Sequence, residues 1–418
     1  DYFNVLKARQ AGGEWRIEKQ RLSWHVLDAF AQAAQQAGIP ATDDFNQGNN
    51  EGVGYFDVNQ RSGWRWNTAQ AFLRPTCFAR PNFELWTQAQ VAGLVLETDA
   101  DGAKRCTGVK VWDGHQLVTA TATREVALSA GSIGSAQILQ LSGIGNPHLL
   151  KPVGVDVQHD LPGVGANLQD HLDLFVISEC TGDHTYDKYN KPHHAAWAGI
   201  QYLLFKKGPV ASSLFETGGF WYADPKENAR SPDIQFHLGL GSGIEAGVAK
   251  MQNSGVTLNT AYLRPRSRGT VRLASGDPSA APLLDPNYWS DPYDRAMGIK
   301  GLRLAREILS QPAMKRYVKA EVLPGAGLTS DEDLFNYACE HSKTDHHPVG
   351  TCKMGVDAMS VVTPELQVIG VQGLRVADAS IMPTLIGGNT NAPVMMIGEK
   401  AADMIRGRQP LEATILKD

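Results

Sequence analysis

The sequence predicts an α/β protein, α+β overall, in which two domains interleave along the chain. Two strand-to-helix successions predict the α/β part, one at 125–141 after a glycine turn and one at 374–406 near the end of the chain. Between them, residues 172–340 mix β-like runs with loops rich in Pro and Gly, which indicates a different kind of domain. The length of 418 residues is sufficient for two hydrophobic cores.

The first half of the chain supplies most of the predicted strands. Residues 24–38 have apolar side chains at helical spacing, and Gly38 followed by Pro40 predicts the end of this helix. Residues 44–63, rich in Gly and Asn, read as irregular. Short β-type runs follow at 83–85, 91–97, 107–112, 116–123 and 125–128. Asp113-Gly114 predicts a hairpin turn, and residues 133–141 after the turn at 129–132 predict a helix.

The second half of the chain contains both kinds of segment, first β-like runs with loops and then a strand-to-helix succession. Residues 233–240 and 257–263 are predicted strands, and 293–309 is a predicted helix with a mostly apolar face. The chain then returns to α/β character, with a predicted strand at 374–377 and a predicted helix at 392–406.

Composition excludes several classes of protein. Hydrophobic residues make up 42% and charged residues 20%, as in a water-soluble globular protein. The net charge of −5 and the lack of a Lys/Arg run argue against a nucleic-acid partner. No run of 18 apolar residues predicts a transmembrane segment, and residues 1–10 do not resemble a signal peptide. The expected location is the cytoplasm or the periphery of the inner membrane. The oligomeric state is left open.

The five cysteines are expected to be scattered buried thiols. Their number is odd, their spacing is wide and no C-x-x-C occurs, so neither a disulfide framework nor a metal site is expected.

The most informative segment is 346–355, His-His-Pro-Val-Gly-Thr-Cys-Lys-Met-Gly, followed by 378–383 and by 388–393. Taken alone, a histidine before proline is more often a structural or capping residue, and Asn beside Gly usually marks a turn. In this order and spacing, however, the three runs closely resemble the paired C-terminal motifs of the glucose–methanol–choline (GMC) oxidoreductases.

The resemblance implies that His347 is the catalytic base and that Asn389 is its partner, nine residues before Gly398-Glu399. An alcohol becomes a good hydride donor once its proton is removed, and histidine can accept that proton near neutral pH. An amide can stabilise the developing alkoxide. His346 stands where relatives commonly have an aromatic residue, so either histidine could point at the substrate. The motif register favours His347, and His346 is expected to contact the substrate.

Two further runs, 131–145 and 162–171, are similar to other signatures of this family, which implies FAD as the cofactor. The resemblance places a set of residues near FAD: Val91 at the adenine, Ala130, Gly131 and Ser132 at the glycine turn, Asp378 and Ala379 near the pyrophosphate and ribityl chain, and Asn391 and Pro393 near the flavin ring. The first turn of the helix after Gly131 would also favour a phosphate. Glu216 matches a carboxylate that meets a cationic head group in choline-oxidising relatives. Its alternative is a structural or surface role.

The family fold implies a doubly wound FAD-binding domain made of 76–171 and 341–418. A substrate domain with a mainly antiparallel sheet and flanking helices would comprise 1–75 and 172–340. The G-x-G-x-x-G turn that opens this fold is not in the sequence, so about 100 N-terminal residues are expected to be absent. We therefore expect this chain alone to bind FAD weakly or not at all. A flavin absorbance spectrum of the purified chain tests this.

The predicted activity is oxidation of an alcohol to an aldehyde or ketone by hydride transfer to flavin. Oxygen or a quinone- or dye-type compound would accept the electrons, and a dehydrogenase is favoured over an oxidase. The alternatives are a lyase on the same fold and an inactive fragment that needs a missing segment.

Overall fold

The computed structural model describes residues 14–46, 48–223, 231–242 and 254–409. Its α-helices, in chain order, are α1 (His25–Gln36), α2 (Gly131–Leu141), α3 (Pro147–Leu150), α4 (Pro192–Phe205), α5 (Pro292–Ser310), α6 (Asp331–His341) and α7 (Asn391–Ile405), and Ala69–Cys77 is a π-helix. Its strands are β1 (Gly52–Tyr55), β2 (Gln60–Arg61), β3 (Trp64–Arg65), β4 (Gln90–Thr98), β5 (Lys104–Trp112), β6 (Leu117–Thr121), β7 (Val126–Leu128), β8 (Ile144–Gly145), β9 (His159–Asp160), β10 (Leu172–Cys180), β11 (Thr217–Trp221), β12 (Ile234–Gly239), β13 (Gly255–Tyr262), β14 (Thr270–Arg272), β15 (Leu283–Asp285), β16 (Val318–Leu323), β17 (Lys343–Thr344), β18 (Val371–Gln372) and β19 (Leu374–Val376).

The chain divides into two compact units that interleave in sequence. The first unit comprises 1–84, 172–263 and 295–345, and the second comprises 85–171, 264–294 and 346–418. The bounds differ from the predicted ones in three places: 76–84 and 341–345 lie in the first unit, and 264–294 lies in the second. The mixed α/β class predicted from the sequence is confirmed. Among the described residues, no helix has the length and apolarity that crossing a bilayer requires.

The first unit is built on a seven-stranded antiparallel sheet. Its order is β1-β11-β12-β13-β10-β16, and β17 also pairs with β10. The predicted strands at 233–240 and 257–263 are β12 and β13, which pair from Ile234 opposite Tyr262 to Gly239 opposite Thr257. Both are buried along their full length. Strands buried on both faces belong to the centre of a domain, so this sheet forms the core of the unit.

Helix α1 shows how apolar spacing positions an element of this unit. Val26, Leu27, Phe30, Ala33 and Ala34 are all buried, as the i, i+3, i+4 pattern predicts.

The prediction that 44–63 is irregular was wrong, because β1 lies within it and pairs with β11. The glycines that suggested a loop are the reason the strand fits there. A Cβ on Gly54 would lie 2.2 Å from the carbonyl oxygen of Thr42, so the two backbones can be this close only without a side chain.

The second unit combines an antiparallel meander with a parallel strand pair. Strands β4, β5 and β6 form the meander, joined at Asp113-Gly114 as predicted. The predicted run at 83–85 is not a strand. It pairs with no other strand among the described residues, and Leu85 is exposed.

Strands β7 and β19 run parallel, with Val126 opposite Leu374 and Leu128 opposite Val376. Each strand is followed at the same edge by a loop, 129–130 after β7 and 377–378 after β19. Helix α2 starts directly after the first of these loops, so β7, the loop and α2 form the strand–turn–helix succession of an α/β sheet. Ligands of open α/β sheets bind at the carboxyl ends of such strands.

Candidate functional site in the second unit

A short antiparallel contact brings two distant motifs together in the second unit. Gln169 and Val349 form an isolated bridge, with a hydrogen bond of 2.8 Å from Val349 N to Gln169 O. Continuing this register by two residues in opposite directions sets His171 opposite His347. Side chains two residues apart on paired strands point to the same face, so the two imidazoles are directed at each other.

The two histidines are in direct contact. Nδ1 of His171 lies 3.0 Å from Nδ1 of His347, and the rings meet edge to face. His171 is fully buried, whereas 7% of His347 is exposed. On its other side, Nε2 of His347 lies 3.3 Å from Nδ2 of Asn389. The imidazole of His347 is therefore held between a buried histidine and an exposed amide.

With the Asn389 amide oriented as in this structure, the two contacts select one tautomer of His347. The NH2 group of the Asn389 amide donates to Nε2 of His347. A neutral imidazole then has its hydrogen on Nδ1, which donates to Nδ1 of His171. In this tautomer the lone pair of His347 is on Nε2, on the side of Asn389.

The residues before His171 hold the surrounding backbone. Oδ1 of Asp170 accepts from the backbone N of His347 at 2.9 Å, and Oδ2 of Asp170 accepts from Tyr288 Oη at 2.5 Å. The Gln169 side chain donates to Pro383 O at 3.1 Å and accepts from Leu385 N at 3.1 Å, in the loop that leads to Asn389. Gln169, Asp170 and His171 therefore position both members of the predicted pair.

His346 differs from its neighbour. It is exposed and has a φ of +59°, a left-handed conformation that is uncommon for a residue with a Cβ. Such conformations cost free energy and are often found beside functional sites. The turn at His346 separates an exposed side chain from the buried one of His347.

The residues predicted near the cofactor lie partly together. Ala130, Gly131 and Ser132 form the start of α2, and Asp378 and Ala379 follow β19 at the same edge. Asn391 is exposed at the start of α7, but Pro393 is buried in that helix. Val91 lies in β4, half-buried opposite Val111.

The glycine turn has the open backbone that a dinucleotide requires, but its hydrogen-bond donors are already bound by a side chain. Gly131 has a φ of +76°, and a Cβ built there would meet nothing within 4 Å, which leaves open space beside the backbone. Asp378, however, already takes up the donors of this turn. Its Oδ2 accepts from Gly131 N at 3.0 Å and from Ser135 Oγ at 2.5 Å. The turn can therefore lie against a cofactor by shape, but a carboxylate stands where a phosphate was predicted.

Glu216 lies in the first unit and is fully buried just before β11. Its Oε1 accepts from the hydroxyls of Tyr186 and Ser212, whereas Oε2 is buried with no hydrogen-bond partner among the described residues. Burial raises the pKa of Tyr186, and the negative charge of Glu216 raises it further. A surface role for Glu216 is thus excluded, and the structural and the substrate-binding roles both remain.

The same unit has a buried polar face that was not predicted from the sequence. Asp173 Oδ2 accepts from Asn259 Nδ2 at 2.7 Å and lies 3.7 Å from His237 Nε2. Ligand-type atoms of Asp173, His237 and Asp345 all lie within 4.8 Å of one another. The strand register brings these residues together, with His237 paired opposite Asn259.

All five cysteines are free, as expected. Cys106, Cys180 and Cys352 are buried, Cys77 is half-buried, and Cys339 is exposed, contrary to the expectation of burial. Burial raises the pKa of Cys180 to about 11 and that of Cys352 to about 12.

The parallel strand pair with its open glycine turn, and the buried histidine beside an amide, leave several classes of enzyme open, and comparison with known proteins identifies the class. Family models described as GMC oxidoreductase match residues 9–173 and 265–398. An oxygen-dependent choline dehydrogenase of Brucella ovis is 40% identical over 98% of this chain and 75% of its own length. An alcohol dehydrogenase [acceptor] of Pseudomonas putida is 39% identical over 90% of this chain and 67% of its own length.

Solved structures give the same result. A pyridoxine 4-oxidase from Mesorbium loti matches with a TM-score of 0.83 and 26% identity, over 96% of this chain and 73% of that protein. A fungal aryl-alcohol oxidase matches with a TM-score of 0.81 and 28% identity, over 93% and 72%. The chain therefore belongs to the GMC oxidoreductase family. It is an oxidoreductase that acts on alcohols. An FAD-dependent oxidoreductase from Chaetomium thermophilum, with a TM-score of 0.83 and 25% identity over 97% of this chain and 79% of that protein, supports FAD as its cofactor.

Proposed function

We propose that this chain oxidises an alcohol to the aldehyde or ketone, with His347 as the base and Asn389 as the partner of the alkoxide. The observation that carries the proposal is the position of His347, whose Nε2 lies 3.3 Å from Asn389 while its Nδ1 lies 3.0 Å from His171. A general base needs a lone pair directed at the site where the substrate proton arrives, and Nε2 provides it.

His347, His171 and Asn389 have separate roles in the proposed step. Nε2 of His347 takes the hydroxyl proton, and His171 accepts a hydrogen bond from the Nδ1–H that the imidazolium keeps. The amide of Asn389 turns from Nε2 to the alcohol oxygen and donates a hydrogen bond to its growing negative charge. FAD, when bound, supplies the acceptor for the hydride that leaves the alcohol carbon.

The residues proposed to hold FAD are those at the strand ends and on α7: Val91, Ala130, Gly131, Ser132, Asp378, Ala379, Asn391 and Pro393. Of these, Gly131 is supported by open space beside its backbone. Asp378 is proposed to act through Gly131. Its carboxylate accepts a hydrogen bond from Gly131 N and so holds the turn in place.

Glu216 and His346 are proposed to contact the substrate. Support for Glu216 comes from its buried Oε2, because a carboxylate oxygen without a donor gains free energy from a nearby cation. The 40% identical relative from Brucella ovis is named a choline dehydrogenase, and choline is a cationic alcohol. A primary alcohol with a cationic head group is therefore the proposed substrate class.

The test uses the FAD-loaded holoenzyme, in which a flavin absorbance spectrum has confirmed bound FAD, and a panel of primary alcohols that includes choline, aromatic and long-chain alcohols, with a dye acceptor. His347→Ala is expected to slow flavin reduction by about 10² or more, the scale of losing a general base. His148→Ala is the matched control, because His148 is an exposed histidine of the same unit. A His347→Ala enzyme as fast as the control would refute the role of His347. Turnover without flavin reduction by any alcohol would favour a lyase instead.

A further inference from the structure

The two loops that carry the proposed catalytic pair are both bound by one side chain of the second unit. Nδ2 of Asn167 donates to Gly350 O at 3.2 Å and to Pro383 O at 3.2 Å. Gly350 lies three residues after the base His347. Pro383 lies six residues before Asn389. A single amide therefore links the segment of the base to the segment of its partner.

The orientation of the Asn167 amide follows from its three partners. The two carbonyl oxygens can only accept hydrogen bonds, so the NH2 group must face them. The guanidinium of Arg268 can only donate, and its Nε lies 3.1 Å from Oδ1 of Asn167. An amide turned by half a rotation would lose all three hydrogen bonds. Arg268 thus holds the amide in the orientation that joins the two loops.

The local backbone brings Asn167 this close to the loop of the base. Asn167 has a φ of +61°, a left-handed conformation that Asn adopts more readily than most residues. Gly350 has a φ of +93°, and a Cβ there would lie 2.5 Å from Asn167 O and 2.8 Å from Asn167 Nδ2. A side chain at position 350 would therefore push the amide away from the loop.

The two loops differ in their other contacts. The loop of the base is also held by Asp170, which accepts from His347 N at 2.9 Å. The loop that leads to Asn389 is held by two amide side chains, those of Asn167 and Gln169. Loss of the Asn167 amide should therefore displace Asn389 more than the base.

We propose that Asn167 is a positioning residue that sets the separation of His347 and Asn389. Nε2 of His347 and Nδ2 of Asn389 are 3.3 Å apart, and the alcohol oxygen has to meet both. A displacement of about 1 Å at such a site can lower a rate by about 10²-fold. This inference rests on the proposed function, because the separation matters only if both residues act on the alcohol.

Stopped-flow flavin reduction in the FAD-loaded holoenzyme tests the proposal. Asn167→Gly removes the amide but suits the left-handed backbone, and it is expected to slow flavin reduction about 10- to 100-fold. The KM for the alcohol should change little, because the contacts of Asn167 are with the two loops and with Arg268. Gln88→Gly is the matched control, since Gln88 is an exposed amide of the same unit with a φ of +55°. This control is expected to react at the parent rate.

Arg268→Met is a second variant at an exposed position, so it tests the proposal even if Asn167→Gly lowers the thermal unfolding midpoint. It is expected to slow flavin reduction about two- to tenfold, the factor that corresponds to one hydrogen bond. An Asn167→Gly or Arg268→Met enzyme with the parent rate overturns the proposal.

A double-mutant cycle with Asn389→Ala separates positioning from a general loss of structure. Asn389→Ala alone is expected to slow flavin reduction about 10²-fold or more, the scale of losing one donor to a developing oxyanion. In that background Asn167→Gly should change the rate by at most about twofold, because no partner is left to position. A fall by the same factor in both backgrounds would show a structural role and overturn the proposal. An Asn389→Ala enzyme with the parent rate would overturn the proposed function of Asn389 together with this inference.

Discussion

Replacing His171 is the sharpest test of how the base is held. His171→Ala removes the acceptor 3.0 Å from Nδ1 of His347 while leaving the base and Asn389 in place. When His347 takes the substrate proton it becomes a cation, and a hydrogen bond from a charged donor contributes about 1.5–3 kcal/mol. Losing it predicts a fall of about 10- to 150-fold in the rate of flavin reduction. The KM for the alcohol should change little, because His171 is fully buried.

Stopped-flow measurement of flavin reduction at saturating alcohol gives this rate. His171→Asn is the informative companion, since its side-chain oxygen can accept the same hydrogen bond, and it should recover most of the lost rate. Far-UV circular dichroism and thermal unfolding exclude a folding defect. An alanine variant with the parent rate would refute the reasoning. An asparagine variant as slow as alanine would show that His171 acts only by filling space.

Three further predictions follow from the structure. Glu216→Gln should raise the KM for choline by about tenfold or more while leaving that for 3,3-dimethylbutan-1-ol, its uncharged isostere, nearly unchanged; parallel increases for both alcohols would point to a structural role. Gly131→Ala should cost about 1–2 kcal/mol in urea unfolding from its left-handed backbone alone. Gly163→Ala should cost clearly more, because its Cβ would lie 2.1 Å from Met359 O, and equal costs would contradict this steric account. Iodoacetamide should modify exposed Cys339 before Cys352. Because burial raises the pKa of Cys352 from 9.0 to about 12, its contribution to stability is complete below pH 9 and is lost as the pH rises towards 12. Urea titrations with and without Cys352→Ala should reveal that loss, and identical pH profiles would argue against it.

Periodic segments were predictable because one physical rule decides each of them. The apolar spacing of 24–38 predicted α1, and the buried side chains of α1 follow that spacing. Strand β1 was not predicted, because the contact that explains its sequence involves another segment of the chain. Gly54 reads locally as a loop residue, and only its approach to Thr42 O explains why a strand needs glycine there. The predicted strand at 83–85 was wrong for the opposite reason. Its residues have local β character, but a strand does not form without a partner strand.

The residues of the candidate site also fall into those that local motifs predict and those whose contacts depend on distant segments. His347 and Asn389 were found because their motifs are local, although their assignment as base and partner remains a proposal. His171 and Asp170 stood in a motif that was recognised without a role for either residue. Their contacts depend on the Gln169–Val349 bridge, which joins residues 180 positions apart and has no signature in the sequence. A histidine directly after an acidic residue at the end of that motif was the only available signal.

Asp378 changes what the glycine turn is expected to do. A helix N-terminus attracts an anion, and the carboxylate of Asp378 already accepts from Gly131 N and Ser135 Oγ. Its other oxygen accepts from Ser380 N at 2.8 Å, so one buried side chain joins the loops after β7 and β19. A phosphate at the same N–H would have to displace this carboxylate or lie against it, and two anions at that distance repel. The turn is therefore better suited to presenting open backbone to a cofactor than to binding its phosphates. We therefore propose that Ala130, Gly131 and Ser132 contribute to the cofactor site by shape, and that Asp378 contributes by keeping that shape rigid.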